Sequence, residues 1–306
     1  MMRHWLAIAA MLAWTSAGTA QVPPDIAAKT RAAGHSMDPA SGEAYAALFG
    51  PETWSGMTIT RDVAYGSDPL QKLDLYVPDG KAAKRPVLIF VHGGGFTRGD
   101  KHGAFYPDNI TAWAAKQGMV GVNIDYRLAP KNPWPAGAQD LASAIAWVRA
   151  NALRYGADPD RIVLWGHSAG ANHVADYVAH HELQGPEFSG VKGAILLSPF
   201  YAAEPGKAPA HAYYGKDAAL QSTASIVDGL WRSTVPLFLA EAEFDPEPMR
   251  MFAKTAHETL CQTPERCPEF LDLKDHNHFT EGMAVGTRDT SLTGPVLNWI
   301  RMLTGK

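Results

Sequence analysis

The segment that most constrains this chain is a glycine–serine turn between a short apolar run and a helical pattern. Residues 162–165 are strand-like and lead directly into Gly166-His167-Ser168-Ala169-Gly170, after which Asn172 to His181 has a helical pattern. In G-x-S-x-G the flanking glycines remove Cβ atoms that would collide in a very tight strand-to-helix turn. The pattern therefore predicts a strained turn that presents the Ser168 hydroxyl at the carboxyl edge of a sheet. The alternative is a turn of small residues that only lets a helix pack closely on a strand.

Strand-like and helix-like segments alternate along most of the chain. Two alternating segments, 57–63 and 73–77, predict an antiparallel hairpin at a sheet edge. The further strands are predicted at residues 87–91, 119–124, 161–165, 191–197, 235–240 and 269–273, and the main helices at 104–117, 136–155, 172–181 and 292–303. This order predicts an α/β fold with a mostly parallel, twisted sheet of about eight strands and helices on both faces.

The N-terminus differs from the rest of the chain. Arg3 and His4 precede an apolar run, Trp5 to Trp14, and small residues follow up to Ala20. Residues 1–20 are therefore predicted to be a signal peptide, and the protein to be exported to the periplasm or secreted. An uncleaved membrane anchor is the weaker alternative because the run is shorter than the ~20 residues of a spanning helix.

The remaining chain is divided into an N-terminal extension, 21–56, and a main domain, 57–306. The extension has one predicted helix around Glu43 to Leu48, and it either lines the mouth of the site or forms a surface arm. Within the main domain, the aromatic-rich segment 199–231 is long for a connection and is predicted to be a small lid or pocket wall, with packing in the core as the alternative.

Charge and cysteine usage narrow the chemistry. A formal net charge of −4 without any basic block argues against nucleic acid as a partner. The two cysteines, Cys261 and Cys267, are predicted to form a local disulfide in an oxidising compartment, with two free thiols as the alternative. Two thiols cannot form a cysteine-rich zinc site, and no metal or organic cofactor is expected.

A glycine-rich loop follows the strand at 87–91. In His92-Gly93-Gly94-Gly95-Phe96, the glycines allow bare backbone N–H groups to approach a reacting oxygen. Gly94, Gly95 and the N–H of Ala169 are the predicted oxyanion donors, and His92 is expected to shape the loop. A phosphate-binding loop is the alternative, but the G-K-[ST] ending is missing.

Four motifs occur in a fixed order along the chain: His92 to Gly95, Asp125 to Pro130, Asp158 to Ile162 and Gly166 to Gly170. Together they resemble the α/β-hydrolase fold and, within it, the hormone-sensitive-lipase-like carboxylesterases, over about residues 57–303. The departures are His167, where many relatives carry an acid, and Ala171, where glycine is common. Neither departure removes a catalytic atom. Asp125 to Pro130 and Asp140 are expected to be structural.

The resemblance implies a Ser–His–Asp triad in the order serine, acid, histidine. The acid should follow the strand at 235–240, where Glu241, Glu243 and Asp245 are candidates; Asp245 matches the family position, and a helix cap is its alternative role. The base should follow the last strand, where His278 matches the family pattern better than His276.

These residues predict a serine hydrolase that cleaves carboxylic esters of small molecules through an acyl-enzyme. An aryl-formamidase of the kynurenine formamidase type, with the same machinery, is the alternative enzyme. A catalytically inactive binding protein on the same fold is the alternative from another class. Acyl and alcohol specificity and the oligomeric state are not determined by these patterns.

Overall fold

A computed structural model describes residues 22–81, 84–184, 190–200, 210–216 and 226–305. The predicted signal peptide, 1–20, and two parts of the predicted lid, 201–209 and 217–225, lie outside the described residues. Among the described residues, no helix has both the length and the apolar character needed to cross a membrane.

One sheet of eight strands forms the centre of the molecule, in the order β1-β2-β4-β3-β5-β6-β7-β8. β1 pairs antiparallel with β2, and β2 with β4, while the other neighbours are parallel. The strands are β1 Met57–Ala64, β2 Lys72–Pro78, β3 Arg85–Val91, β4 Val120–Ile124, β5 Ala157–His167, β6 Val191–Leu197, β7 Leu237–Ala242 and β8 Glu269–Leu273. The predicted edge hairpin and mostly parallel sheet are confirmed.

Both faces of the sheet are covered, as the continuous apolar runs require. Every residue of β3 is buried. Val87, Ile89 and Val91 face one core, and Leu88 and Phe90 face the other. The described helices are α1 Pro24–Ala33, α2 Asp108–Lys116, α3 Ala136–Asn151, α4 Ala169–Ala179, α5 Ala210–Tyr214, α6 Val227–Arg232, α7 Glu247–Leu260, α8 Thr280–Met283 and α9 Thr293–Thr304. Helices α3, α4 and α7 contribute to the first core, and α2 and α9 to the second.

Several predicted boundaries were wrong for local reasons. Helix α2 begins at Asp108 rather than residue 104, because Pro107 lacks an N–H and restricts the residue before it. Helix α3 ends at Asn151, and a 3-10 turn, Ala152–Tyr155, completes the predicted length before Gly156. Strand β7 runs from 237 to 242 rather than 235 to 240.

The segment before β1 contains more structure than predicted. Helix α1 was missed, and the helix predicted around Glu43 to Leu48 is a 3-10 helix, Pro39–Leu48, that begins after Asp38. A further 3-10 helix covers Pro51–Trp54. A small apolar cluster joins this segment to α8, with Ile26 and Tyr45 packed against Met283. The segment is thus held on the side of the sheet edge where β8 ends.

Cys261 and Cys267 form a disulfide at the end of α7. The 3-10 turn Pro264–Arg266 lies between them. The bridge confirms the predicted local pairing.

Candidate active site

Ser168 lies in the turn between β5 and α4, in a strained conformation. Its φ is 54° and its ψ is −124°, values that an L-residue adopts only when its surroundings impose them. A Cβ at Gly166 would lie 2.4 Å from the Gly170 carbonyl oxygen, and one at Gly170 would lie 2.1 Å from the Val91 oxygen. Only glycine fits at both positions, so the predicted reason for G-x-S-x-G is confirmed and the strain on Ser168 is built into the turn.

The structure brings Ser168, His278 and Asp245 into one hydrogen-bonded chain. His278 Nε2 lies 2.8 Å from Ser168 Oγ, and His278 Nδ1 lies 2.8 Å from Asp245 Oδ1. The three residues follow β5, β7 and β8, whose carboxyl ends meet at the same sheet edge. All three are buried. An acceptor-only carboxylate at Nδ1 leaves Nε2 as the nitrogen that can accept the serine proton.

Asp245 is held as a carboxylate. Burial opposes its ionisation, but hydrogen bonds from His278, from the Ser198 hydroxyl and from the Ala242 N–H outweigh it and lower its pKa. The alternative role as a helix cap was wrong, because Pro246 occupies that position before α7.

The other two acid candidates, Glu241 and Glu243, contact residues other than His278. Burial raises the pKa of Glu241 to about 7, and its nearest cation is Arg250 at 3.8 Å. Glu243 accepts the backbone N–H of Asp275 at 2.9 Å. Neither carboxylate is paired with His278 in the described part of the chain.

His276, the alternative base, also has a carboxylate partner. Its Nε2 lies 3.3 Å from Asp289, and its ring stacks on Tyr45. Burial opposes ionisation of Asp289, but His276, Ser291 and Tyr45 bring its pKa down to about 2. His276 therefore belongs to a second histidine–aspartate pair, away from Ser168.

The glycine loop after β3 lies against the serine. A Cβ at Gly93 would be 3.0 Å from Ser168 Cβ, and Gly94 and Gly95 have φ values of +130° and +60°. Within the described part of the chain, the N–H groups of Gly94 and Gly95 donate no hydrogen bond. Ala169 is the first residue of α4, where an N–H has no partner within the helix. These three N–H groups are the ones that the sequence predicted as donors.

His92 contacts the glycine loop and Tyr126, in agreement with its expected role in shaping the loop. Its Nδ1 lies 2.7 Å from the Gly93 carbonyl oxygen, and its ring stacks on Tyr126 at 4.5 Å. Tyr126 in turn donates to the His92 carbonyl. The expected structural acids have matching contacts, since Asp125 accepts the Lys101 N–H and Asp140 binds Arg127.

A cavity of about 510 Å³ opens at Ser168 and is lined mainly by apolar side chains and bare backbone. Arg98 is the one side chain with a permanent charge in its lining. The lining residues come from four parts of the chain: Met37 and Pro39; Gly93, Gly94, Gly95, Arg98, Gly99 and Tyr106; His167, Ser168 and Phe200; and His278, Phe279 and Met283. Met37 and Pro39 show that the segment before β1 does reach the mouth of the site. Of the predicted lid, Phe200 reaches the cavity, while Tyr213 and Tyr214 are core.

Sequence reasoning missed four polar residues around Ser168, His278 and Asp245. Ser198 follows β6 and donates to Asp245, so its position at a strand end was a usable signal. Tyr106 and Glu281 both contact His167, whose ring lies beside that of His278. Glu281 lies three residues after His278 and is fully buried, which the sequence alone does not reveal.

Two groups among the described residues could offer three metal-ligand atoms. In the first, with His257, both cysteines are joined as a disulfide and offer no thiolate. In the second, with His167 and Glu281, both nitrogens of His278 already bind Ser168 and Asp245. The donor sets therefore do not fit a metal ion as they stand.

The sheet order, the strained serine turn and the residues at the strand ends define an α/β-hydrolase fold. The family described as BD-FAE matches residues 73–185. The chain is 32% identical over 213 residues to "Probable carboxylesterase 6" of Arabidopsis thaliana, covering 66% of this chain and 62% of that protein. It is 42% identical over 113 residues to "Esterase LipC" of Mycobacterium tuberculosis, covering 37% of this chain and 28% of that protein. The chain thus spans less than two thirds of the length of these relatives. It has the α/β-hydrolase fold and is similar in sequence to carboxylesterases.

Solved structures agree on the fold. Esterase B from Lactobacillus Rhamnosis has a TM-score of 0.72 at 19% identity and covers 92% of this chain and 96% of its own. The esterase Est22 has a TM-score of 0.69 at 20% identity, with 95% of each chain covered. The predicted fold class and the predicted resemblance to carboxylesterases are confirmed.

Proposed function

We propose that this protein is a serine carboxylesterase in which Ser168 is the nucleophile, His278 the base and Asp245 the acid. The observation that carries the proposal is the unbroken chain of contacts, 2.8 Å and 2.8 Å, from Ser168 through His278 to Asp245. Ser168, where this chain of contacts begins, lines a cavity large enough for a small organic ester. The similarity to named carboxylesterases supports the same reaction class.

In the acylation step, His278 Nε2 takes the proton from Ser168 Oγ as the oxygen attacks the ester carbonyl carbon. The new C–O bond produces a tetrahedral oxyanion, which the N–H groups of Gly94, Gly95 and Ala169 stabilise. The bond to the alcohol oxygen then breaks, and His278 returns the proton to that leaving oxygen. Asp245 holds Nδ1 protonated throughout, so that Nε2 faces the serine.

In deacylation, water replaces the alcohol. His278 takes a proton from the water as its oxygen attacks the acyl carbon, and the same N–H groups stabilise the second oxyanion. The bond to Ser168 Oγ breaks, the proton returns to the serine, and the carboxylic acid leaves. No cofactor takes part in these steps.

The cavity favours an ester over an ion as substrate. Its apolar lining would remove water from a small acyl or alcohol group, and Arg98 at the exposed turn is the single full charge there. Esters are proposed over aryl formamides because the relatives of this chain are named carboxylesterase or esterase. The aryl-formamide alternative uses the same machinery and is separated by assay.

The cellular site is proposed from the N-terminal sequence. Residues 1–20 have the charge and apolar pattern of a signal peptide, and we propose that the enzyme acts outside the cytoplasm. Fractionation of cells that express the full chain, with N-terminal sequencing of the product, tests this. A product that begins at Met1 in the cytoplasmic fraction would overturn the proposal.

The decisive experiment compares wild type, Ser168→Ala and Ser143→Ala. Ser143 lies on α3, where its hydroxyl donates to the Gln139 carbonyl, so it is the matched control for loss of a hydroxyl. Each protein is assayed with p-nitrophenyl esters of graded chain length and an N-formyl arylamine, and labelled with a fluorophosphonate. We expect ester hydrolysis and labelling to disappear only in Ser168→Ala. Faster turnover of the formamide than of every ester would favour the formamidase, and an unlabelled, inactive wild type would favour a binding protein.

A further inference from the structure

His167, the first variable residue of G-x-S-x-G, has a contact at each of its two ring nitrogens. Its Nδ1 lies 2.6 Å from the Tyr106 hydroxyl, and its Nε2 lies 2.8 Å from the backbone carbonyl oxygen of His278. Its ring is 4.9 Å from the His278 ring, measured between centroids. The side chain is buried between the turn that carries Ser168 and the loop that carries His278. It therefore connects the two parts of the proposed triad through a route separate from Asp245.

The contacts determine where the protons lie on this ring. A backbone carbonyl only accepts, so His167 Nε2 must carry a hydrogen and donate it. Nδ1 of the neutral ring is then an acceptor, and the Tyr106 hydroxyl donates to it. Burial raises the pKa of Tyr106 well above its ordinary value, so the hydroxyl keeps this proton. Burial and the neighbouring His278 lower the pKa of His167 to about 3, so the ring stays neutral at working pH.

The His278 backbone depends on such support because it lies in a loop. It follows β8 and precedes α8, a helix of only four residues. On the far side, Asn277 binds the N–H groups of Phe279 and Thr280 through its side-chain oxygen. On the near side, the His278 carbonyl is held by His167. A displacement of about 1 Å in a reacting group can cost about 100-fold in rate.

We propose that His167, oriented by Tyr106, is a positioning residue that fixes the His278 backbone so that its imidazole reaches both Ser168 and Asp245. This inference rests on the proposed function, since it assigns His278 as the base. His167 and Tyr106 take no proton from the substrate. They act by holding another residue.

Glu281 completes the surroundings of His167. It is fully buried, and its Oε1 lies 3.3 Å from His167 Nε2. Burial, reinforced by the charge of Asp245, raises the pKa of Glu281 well above its ordinary value. A neutral carboxylic acid competes weakly for the His167 N–H, so the hydrogen bond to the His278 carbonyl is kept.

The test uses His167→Gln, His167→Leu, Tyr106→Phe and the control Tyr45→Phe. A glutamine amide can place an N–H donor close to the position of Nε2, whereas leucine fills the space without a donor. Tyr45 is a buried tyrosine whose hydroxyl binds Asp289 in the other histidine pair, so it matches the loss at Tyr106. For each protein we measure the rate of fluorophosphonate labelling of Ser168, kcat per titrated site, KM and the thermal midpoint.

We expect His167→Leu to lower kcat and the labelling rate by about 100-fold with KM nearly unchanged. His167→Gln should recover most of that loss, Tyr106→Phe should lose about tenfold, and Tyr45→Phe should lose only thermal stability. Equal losses in Gln and Leu, or a Leu variant with wild-type labelling rate per folded molecule, would overturn the inference. If His167→Leu does not fold, the comparison of Tyr106→Phe with Tyr45→Phe decides the question. Equal labelling rates in these two variants would then overturn the inference.

The labelling rate separates this inference from the proposed function. Labelling needs an activated serine but not an ester substrate. A wild type that labels and yet cleaves no ester would overturn the carboxylesterase proposal, while the ratio of labelling rates still decides the role of His167. A wild type that does not label would overturn both.

Discussion

Two buried histidine–aspartate pairs of this protein have histidines that are two residues apart in the sequence. His278 pairs with Asp245 at 2.8 Å, and His276 pairs with Asp289 at 3.3 Å. All four side chains are at most 1% exposed. Each carboxylate also accepts a serine hydroxyl, from Ser198 in the first pair and Ser291 in the second.

The pairs differ in the surroundings of the ring nitrogen that does not contact the aspartate. His278 Nε2 reaches Ser168 at the cavity. The His276 ring instead stacks on Tyr45, and within the described residues its Nδ1 has no hydrogen-bond partner. Burial and a carboxylate partner are thus common to both histidines, and only the partner of the other ring nitrogen separates the proposed base from the second histidine. The first pair should control turnover, and the second should stabilise the segment that Tyr45 belongs to.

The largest expected difference is between His278→Ala and His276→Ala. Loss of the base should lower kcat by about 10⁴-fold or more. Loss of His276 should leave kcat close to wild type but cost about 3 kcal/mol of unfolding free energy, because the buried Asp289 loses its histidine partner. Ester assays and urea titrations of both variants measure this. The assignment fails if His276→Ala is the inactive protein.

Variants of the two carboxylates, Asp245 and Asp289, should differ in kcat and in stability in the same way. Asp245→Asn can no longer hold Nδ1 of His278 protonated, so kcat should fall by about 10⁴-fold. Asp289→Asn should keep kcat and lose about 2 kcal/mol of stability. Initial rates at saturating substrate, with circular dichroism as the folding control, test both. Equal activity of the two variants would contradict the division of roles.

The serine hydroxyls should give a smaller difference. Ser198→Ala removes a hydrogen bond to the Asp245 carboxylate and should lower kcat about tenfold. Ser291→Ala removes the equivalent contact to Asp289 and should leave kcat unchanged while costing about 1.5 kcal/mol of stability. Chemical denaturation and kcat are measured on the same preparations. A loss of kcat in Ser291→Ala would show that the second pair also supports the reaction.

Acid stability is the smallest expected effect. The folded-state pKa of Asp289 is about 2, below its ordinary 3.8, so its contribution is complete above pH ~4 and is lost as the pH falls through about 2. Between pH 7 and pH 3, the wild type should lose about 1 kcal/mol more stability than Asp289→Asn. Urea midpoints at the two pH values measure the difference. Identical losses would mean that the pair does not hold Asp289 ionised.

Much of the fold could be predicted because apolar periodicity reports burial on both faces of a strand. The strands at 191–197 and 269–273 were placed at their observed boundaries. Boundaries were less predictable where a turn rather than periodicity decides them, as at Pro107 before α2. Helix α1 was missed because its buried side chains, Ile26 among them, pack against a distant part of the chain and leave a weak local pattern.

The sequence by itself determined the sheet, the serine turn and the glycine loop, because each is dictated by residues close together in the chain. It also narrowed the acid and the base to a few side chains after two strands. Only the tertiary structure decided that Asp245 rather than Glu241 or Glu243 meets His278, that His276 pairs with Asp289, and that Tyr106 and Glu281 meet at His167. These choices depend on distances of a few ångströms between strand ends brought together by the register of a parallel sheet, and local sequence carries no record of such distances.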